Sequence, residues 1–347
     1  MAKEKTIVIS DVHMTNSPYQ RRVKLTAMLN KIAQKDEEVT ELVLLGDFFD
    51  LWLYPIDVLP ATVCDIIHAN GWITGALRNC VANIPKVYYL AGNHDMGVMQ
   101  SDLKPFSSCG KEIHLILPDD YNANYSGRRH LEHGHAVDMF NAPDNSDDTI
   151  CGYPLGYFIT RLIAKAANPS AARQALEKVL LRTLAIDRWM KGPLLVNMII
   201  SCLMAEAGVQ DSTKIRFLEP GLDKIPVGEI KKHYGSLYGI WHHRYPNPKD
   251  FADTMLVVVN PDGLGLNWYA NKLLKLSHPP KVIVMGHTHH AFPKSAYKGA
   301  YKNDGCWCGP SVLGYGNRKP HYVEIIGNSA TVIPWPLQRK EVGLLES

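Results

Sequence analysis

Leu42-Val43-Leu44-Leu45-Gly46-Asp47-Phe48-Phe49-Asp50 is the stretch on which the reading of this 347-residue chain turns. Four aliphatic residues without a polar break read as a strand buried on both faces, as in a parallel sheet. The run stops at Gly46, where a missing side chain lets the backbone approach a neighbour closely. Asp47 follows at once. An acid just beyond the carboxyl end of a buried strand stands where open α/β sheets gather ligands.

Four other segments repeat the pattern. Thr6-Ile7-Val8-Ile9-Ser10 leads into Asp11-Val12-His13, and Lys86-Val87-Tyr88-Tyr89-Leu90 into Ala91-Gly92-Asn93-His94-Asp95. Arg128-Arg129-His130-Leu131-Glu132 leads into His133-Gly134-His135, and Lys281-Val282-Ile283-Val284-Met285 into Gly286-His287-Thr288-His289. Five strand ends carrying Asp, His and Asn point to one shared site. Between the strands, 21–35 places Val23, Met28, Leu29 and Ile32 at near-helical spacing, and 57–80 reads as helix interrupted at Gly71. Strand alternating with helix predicts right-handed crossovers and a mostly parallel sheet, an α/β fold.

Residues 141–279 differ, so the chain divides into a part that carries the strand-end residues, 1–140 with 280–347, and a mainly helical insertion or cap. After a polar loop at 141–148, Ala172, Leu176, Val179, Leu180, Thr183, Leu184 and Trp189 fall at i, i+3/i+4 spacing, with Ser170 the expected N-cap. Gly192-Pro193 ends that helix and 194–204 forms another. A third starts after Pro226 and reaches Arg244. Pro261-Asp262-Gly263 is a turn, and 266–276 is the helix feeding the last site strand. Residues 321–326 and 330–333, joined by Gly327-Asn328, read as a hairpin.

Composition narrows the function classes. Apolar residues at 46% and charged residues at 20% fit an ordinary globular protein. A net charge of +3, with no basic stripe interleaved with aromatics, argues against nucleic acid as partner. The longest apolar run, 194–204, falls short of the ~20 residues of a membrane span, though peripheral membrane contact stays open. The chain starts Met-Ala-Lys-Glu-Lys and runs straight into a strand, with no secretory signal pattern. Seven scattered cysteines do not form a disulfide framework, so a cytoplasmic setting is expected. Cys306-Trp307-Cys308 lacks the second pair a zinc site needs. Oligomeric state is not legible.

The strand ends hold Asp11, His13, Asp47, Asn93, His133, His287 and His289 as candidate metal ligands. Three oxygen donors and four imidazoles, without thiolate, suit Mn, Fe, Co or Zn better than Ca or Mg, with Mn the first choice. If Asp47 bridges, the set divides into two sites of four ligands each. Paired divalent ions are the arrangement for in-line displacement at phosphorus. His94, next to a metal-bound Asn, is placed to protonate a leaving alkoxide or bond a phosphate oxygen, and Asp95 or Asp50 to orient an imidazole.

These residues resemble the calcineurin-like metallophosphoesterase superfamily, whose pattern D-x-H, G-D-x-x-D, G-N-H-[DE], H, G-H-x-H appears as Asp11-x-His13, Gly46-Asp47-x-x-Asp50, Gly92-Asn93-His94-Asp95, His133 and Gly286-His287-x-His289. The resemblance implies a four-layer α/β/β/α double β-sandwich with the metals at its edge. It implies that Asp11, His13, Asp47 and His289 hold one metal, and Asp47, Asn93, His133 and His287 the other. A hydroxide bridging them would attack phosphorus, with His94 as the acid. His135 is the alternative to His133, whose place before Gly134 favours it. In motif style the chain is similar to the UDP-2,3-diacylglucosamine diphosphatase branch, which carries Arg at the position of His94 and Asp at that of His135.

The expected function is therefore hydrolysis of a phosphomonoester, phosphodiester or diphosphate. A nucleotide-linked lipid precursor is the alternative substrate, and a non-catalytic scaffold the alternative class. A scaffold has no need of His94. Arg244, behind His242-His243 at a helix end, is a candidate substrate contact beside Asn93 and His94; its bland reading is a solvated helix end. Arg128-Arg129 reads as surface. The apolar face of 172–189 and the run 194–204 read as core of the cap, or as a groove for an acyl chain.

Overall fold

The computed structural model describes residues 4–15, 19–143, 150–185, 192–218, 225–257, 265–292, 300–308 and 319–335. The chain divides into two compact units. The first comprises Met1–Asp50, Val63–Gly134 and Pro261–Ser347, the second Leu51–Thr62 and His135–Asn260.

The strands among the described residues are β1 (Lys5–Ile9), β2 (Glu41–Leu45), β3 (Lys86–Leu90), β4 (His114–Leu115), β5 (Arg129–Leu131), β6 (Val282–Val284), β7 (Ala291–Phe292), β8 (Tyr301–Asp304), β9 (His321–Ile326) and β10 (Ser329–Pro334). One sheet has the order β10-β9-β1-β2-β3-β4, the other β5-β6-β8-β7. Strands β1 to β4 run parallel, as the strand–helix alternation predicts, and β9 adds antiparallel to β1. β9 and β10 form the expected hairpin, pairing from Ser329↔Ile326 to Pro334↔His321.

A strand sends alternate residues to opposite faces, and the core obeys this period. Val43 and Leu45 of β2, Val323 and Ile325 of β9, and Val282 and Val284 of β6 meet in one cluster with Val8, Leu90 and Leu131. The two sheets thus share one apolar layer. Each such side chain contributes ~1.5–3 kcal/mol when fully buried. The sheets therefore lie face to face across this layer, as a double β-sandwich requires.

The helices of the first unit are α1 (Tyr19–Ile32), α2 (Val63–Ala69), α3 (Gly71–Asn83), α4 (Pro118–Ala123) and, after the second unit, α11 (Asn267–Leu273). α1 packs along α3, and α3 on β3. The segment expected as helix from 57 begins only at Val63, because Pro60 restricts the residue before it to extended backbone. The break falls at Asn70, whose Nδ2 donates to the Ile66 carbonyl at 2.8 Å.

The second unit is helical: α5 (Leu155–Lys165), α6 (Pro169–Ala185), α7 (Gly192–Ala207), α8 (Glu229–His233), α9 (Leu237–Arg244) and α10 (Pro248–Leu256). Asn168, not Ser170, caps α6: Pro169 takes the first helical position and Asn168 Oδ1 accepts the Ala171 N–H at 3.0 Å. The single helix expected after Pro226 is two, α8 and α9, parted at 234–236. The apolar run 194–204 serves as core, with Leu195, Val196, Ile199, Ile200 and Leu203 buried where α7 meets α5, α6 and α9. The expected turn at 261–263, most of the polar loop at 141–148, and Trp189 lie outside the described residues.

Arg129, read as surface, is buried. Its Nη1 donates to Thr6 Oγ1 at 3.0 Å and lies 3.9 Å from Glu41 Oε1, and the guanidinium stacks 4.0 Å from the Tyr125 ring. Its charge is offset by Glu41 at the amino ends of the strands, the far end from the candidate ligands.

Candidate metal centre

At the carboxyl ends of β1, β2 and β6 the chain leaves the sheet through left-handed backbone. Asp11 (φ 52), His13 (φ 47), Asp47 (φ 52), His287 (φ 67) and His289 (φ 60) all occupy a region that costs a non-glycine residue energy. These five outliers are all candidate ligands, and the turns they make point their side chains into one space. Gly46 (φ 79) permits a close approach: a Cβ there would lie 2.5 Å from His133 Nδ1. A Cβ on Gly92 would collide with the Asp47 carboxylate in the same way.

The structure brings the expected residues together in two groups that share one carboxylate. Asp11, His13, Asp47 and His289 each offer a ligand atom within 4.8 Å of the others, and so do Asp47, His133 and His287. All are buried. Asp47 Oδ1 is fixed by the His94 backbone N–H at 2.8 Å. Its Oδ2 lies 3.1 Å from His133 Nε2 and 3.6 Å from His13 Nε2, at the junction of the groups. Asp11 Oδ1 lies 3.2 Å from His289 Nε2, and the carboxylate accepts the His287 backbone N–H at 3.0 Å. Asn93 sits beside Gly92 on the loop after β3, 1% exposed.

Tautomers follow from the partners on the far side of each ring. The Leu45 carbonyl can only accept, so His133 Nδ1 carries a proton and donates at 2.9 Å. His133 Nε2 then meets Asp47 Oδ2, lone pair against lone pair, unless positive charge stands between them. His13 is arranged alike: Nδ1 donates to Asp50 Oδ2 at 3.0 Å, and Nε2 faces His289 Nε2 at 3.0 Å. Either protons or cations must occupy these contacts. Holding the outer ring nitrogen so that the inner one is free is how metal-ligating histidines are oriented. The donor set, carboxylate and imidazole with an amide, fits borderline divalent cations.

The electrostatics agree. Burial alone would raise the Asp47 pKa, but the positive charge of His133 and then His94 holds it well below the usual carboxylate range. Burial opposes protonation of His133, yet the Asp47 and Asp11 charges outweigh it and push its pKa up to about 10. His94 is raised too: burial works against this, but Asp50 and Asp47 prevail.

Asp50 and Asp95 divide the supporting work. Asp50 Oδ1 accepts from His94 Nδ1 at 2.9 Å while Oδ2 takes His13, so Asp50 is the carboxylate that orients imidazoles. Asp95 instead ties two turns together: it accepts the backbone N–H groups of Phe48 (2.8 Å) and Gly92 (2.6 Å) and the Tyr89 hydroxyl. It contacts main chain and phenol rather than a ring nitrogen. His135 belongs to the second unit, at the start of a 3-10 turn (His135–Val137). Arg244 also lies in that unit, exposed on α9, stacked on Trp241 (5.0 Å) and Tyr245 (5.5 Å) of its own neighbourhood.

The end of β8 carries supporting residues that the motif reading missed. Asn303 Nδ2 donates to the Gly286 carbonyl at 2.7 Å and lies 3.2 Å from Thr288 Oγ1. Asp304 Oδ2 accepts the Ser10 N–H at 2.8 Å; burial, then the Asp11 charge, pushes its pKa up to about 8. Cys308, from the C-x-C set aside as a zinc site, has its thiol 3.9 Å from His289 Nδ1 and joins His13 and His289 in a third group of close donors. The available signal was Lys302-Asn303-Asp304-Gly305, again an acid at a strand end beside a glycine.

Two facing sheets thus carry buried Asp and His side chains at their strand ends. Residues 4–167 match the model of the calcineurin-like phosphoesterase family. Over 116 residues the chain is 31% identical to the UDP-2,3-diacylglucosamine hydrolase of Edwardsiella ictaluri (strain 93-146), a match spanning 33% of this chain and 38% of that protein. Among solved structures it is similar to a dimetal phosphatase from Danio rerio (12% identity, 96% of this chain and 99% of that one, TM-score 0.31). It is also similar to a mutant cold-active protein tyrosine phosphatase (13% identity, 96% and 80%, TM-score 0.27). No helix among the described residues is long and apolar enough to cross a membrane.

Proposed function

We propose that this protein is a dinuclear metal-dependent phosphoesterase. The observation that carries the reading is the pair of buried donor groups sharing Asp47, each with its atoms within 4.8 Å. Asp11, His13, Asp47 and His289 would hold one cation, and Asp47, Asn93, His133 and His287 the other, with Mn favoured over Fe, Zn or Co. When bound, two such cations supply an acidified water and neutralise the non-bridging phosphate oxygens.

The chain's own residues supply the rest. Asp47 Oδ2, at the junction, sets the spacing of the two positions. His94 has Nδ1 anchored on Asp50, so Nε2 is the nitrogen it offers to a substrate. Its raised pKa keeps a proton there closer to neutrality, ready for the leaving oxygen. Asn93 and His94, adjacent on one loop, would meet the phosphoryl group. Asp95 keeps that loop and the Asp47 turn in register.

The test is hydrolysis of bis-p-nitrophenyl phosphate and p-nitrophenyl phosphate by metal-stripped protein titrated with Mn²⁺, with Asp47→Asn in parallel. Metal-dependent turnover that the variant loses supports the reading, and the ratio of the two rates separates diesterase from monoesterase. A variant with wild-type turnover and metal content would sink the bridging role. A second reading, hydrolysis of a nucleotide-linked lipid diphosphate, is favoured by the 31% match to the diacylglucosamine hydrolase. It predicts faster turnover of a UDP-acylaminosugar than of either aryl ester, and equal or slower turnover counts against it.

A further inference from the structure

Asp304 lies outside the five motifs that carry the candidate ligands and outside residues 4–167, yet it is 0% exposed and faces the metal centre through one residue. Ser10 Oγ stands between two carboxylates, 2.7 Å from Asp304 Oδ1 and in a short contact with Asp11 Oδ2. The Ser10 backbone N–H donates to Asp304 Oδ2 at 2.8 Å. Both side-chain contacts are too close to lack a hydrogen, and a serine hydroxyl owns one proton. If Ser10 gives that proton to Asp11 Oδ2, the Asp304 carboxyl must donate the second, to Ser10 Oγ.

The orientation of Asp11 makes this relay useful. Oδ2 is pinned by Ser10, while Oδ1 is turned toward His289 Nε2 at 3.2 Å. The same strand end holds the Asp11 carbonyl through the Trp307 N–H at 2.9 Å and the 286–289 turn through Asn303. We propose that Asp304 is a positioning residue of the metal centre: acting through Ser10, it fixes the Asp11 carboxylate with one oxygen presented to the cation. This rests on the reading of Asp11 as a ligand.

Second-partner changes of this kind lower metal affinity ~10–100-fold. The experiment is a calorimetric titration of Mn²⁺ into the metal-stripped full chain, repeated with Co²⁺ while the visible spectrum is followed. Asp304→Asn replaces the carboxyl by a group that still accepts from the Ser10 N–H and donates to its Oγ. It should bind two equivalents with wild-type affinity and an unchanged Co²⁺ spectrum. Asp304→Leu, of similar shape but unable to hydrogen-bond, should weaken one equivalent ~10–100-fold and spare the other. Ser10→Ala cuts the relay at its middle with a change small enough to fold, and should reproduce that single weakened equivalent. The proposal is overturned if Asp304→Asn is as impaired as Asp304→Leu, or if Ser10→Ala binds both equivalents as wild type does. A wild-type chain that takes up no divalent cation would overturn the functional reading as well. Two wild-type equivalents with insensitive variants would overturn the positioning role alone.

Discussion

Asp50 stands between two imidazoles, its Oδ2 3.0 Å from His13 Nδ1 and its Oδ1 2.9 Å from His94 Nδ1. One buried carboxylate thus orients a candidate ligand and the candidate acid together. An Asn at this position can accept from one ring only; its NH₂ forces the other ring to present a lone pair at Nδ1 and to move its proton to Nε2. Asp50→Asn should therefore lose ~10–100-fold in the affinity of one metal, in turnover, or in both. Metal titration and a pH–rate profile indistinguishable from wild type would show that Asp50 is dispensable.

His94 makes no contribution to either of the two donor groups that share Asp47. His94→Ala should keep both metals while turnover falls ~10²–10⁴-fold on substrates with alkoxide leaving groups. Nitrophenolate needs little protonation, so p-nitrophenyl esters should suffer much less. Equal losses on both substrate types would assign His94 to phosphate positioning instead of proton transfer.

The site was legible because its chemistry is concentrated where sequence patterns are clearest. Asp11, Asp47, Asn93 and His287 each follow an apolar strand, and His133 follows the shorter, mixed strand β5 (Arg129–Leu131). Asp304 escaped because β8 (Tyr301–Asp304) carries Lys302 and Asn303 in place of a β-branched run, so it does not announce itself as a strand. Nothing in sequence spacing could pair Ser10 with a residue on β8; only the crossover between the sheets does so. The second unit was read least well for a similar reason. α5 (Leu155–Lys165) carries Tyr157-Phe158-Ile159-Thr160 in its first half, residues that favour strands, and becomes helix through its packing. Arg161 and Arg129 look like solvated cations in the sequence, and their burial depends on acceptors that the fold alone assembles.

Gly46 tests the closeness of the β2 turn to His133. Alanine there must adopt φ 79 and place its Cβ 2.5 Å from His133 Nδ1. The backbone term alone costs ~1–2 kcal/mol, and relief of the clash displaces the His133 ring. Gly46→Ala should fold with a lowered Tm and lose the metal held with His133 and His287, leaving one equivalent bound. Two equivalents with wild-type affinity would mean the ring has room that the geometry denies it.

Arg161 tests the second unit by itself. Fully buried, it donates to the carbonyls of Tyr54 (3.2 Å), Pro55 (3.0 Å), Val58 (2.6 Å) and Arg216 (2.6 Å) and to the Tyr157 hydroxyl (2.6 Å). It therefore ties segment 51–58 to α5 and to the stretch at Arg216, whose N–H returns to the Ile56 carbonyl at 3.0 Å. Arg161→Met keeps the volume but removes the donor shared by these carbonyls and by the Ile56 oxygen (3.4 Å), which is fully buried and costs ~1–3 kcal/mol when it loses a partner. Amide exchange should accelerate in 51–62 and at Arg216 first, with stability falling by ~1–3 kcal/mol. Unchanged protection at those amides would show that the carbonyls find other donors.

Proton and metal should compete at the centre, and the sign of the pH dependence follows from the raised pKa values. In metal-free protein His133 titrates near 10, against 6.5 for an unperturbed imidazole. Its stabilising charge is fully present below about 6.5 and is lost as the pH rises through about 10. Asp304 acts in the same direction: its carboxyl is raised to about 8 from 3.8, so the folded state binds the extra proton and loses that stabilisation as the pH climbs between those values. Metal-free protein should therefore melt at progressively lower temperature from pH 7 to pH 10. A bound cation replaces the His133 proton, so saturating Mn²⁺ should flatten that part of the decline, and metal affinity should strengthen over the same window. At pH 7.5 the calorimetric binding enthalpy should vary with the ionisation enthalpy of the buffer, reporting at least one proton released. No buffer dependence, together with a Tm that is flat or rising to pH 10 without metal, would mean that no proton stands between His133 Nε2 and Asp47 and that the lone-pair conflict there is resolved by movement of the ring.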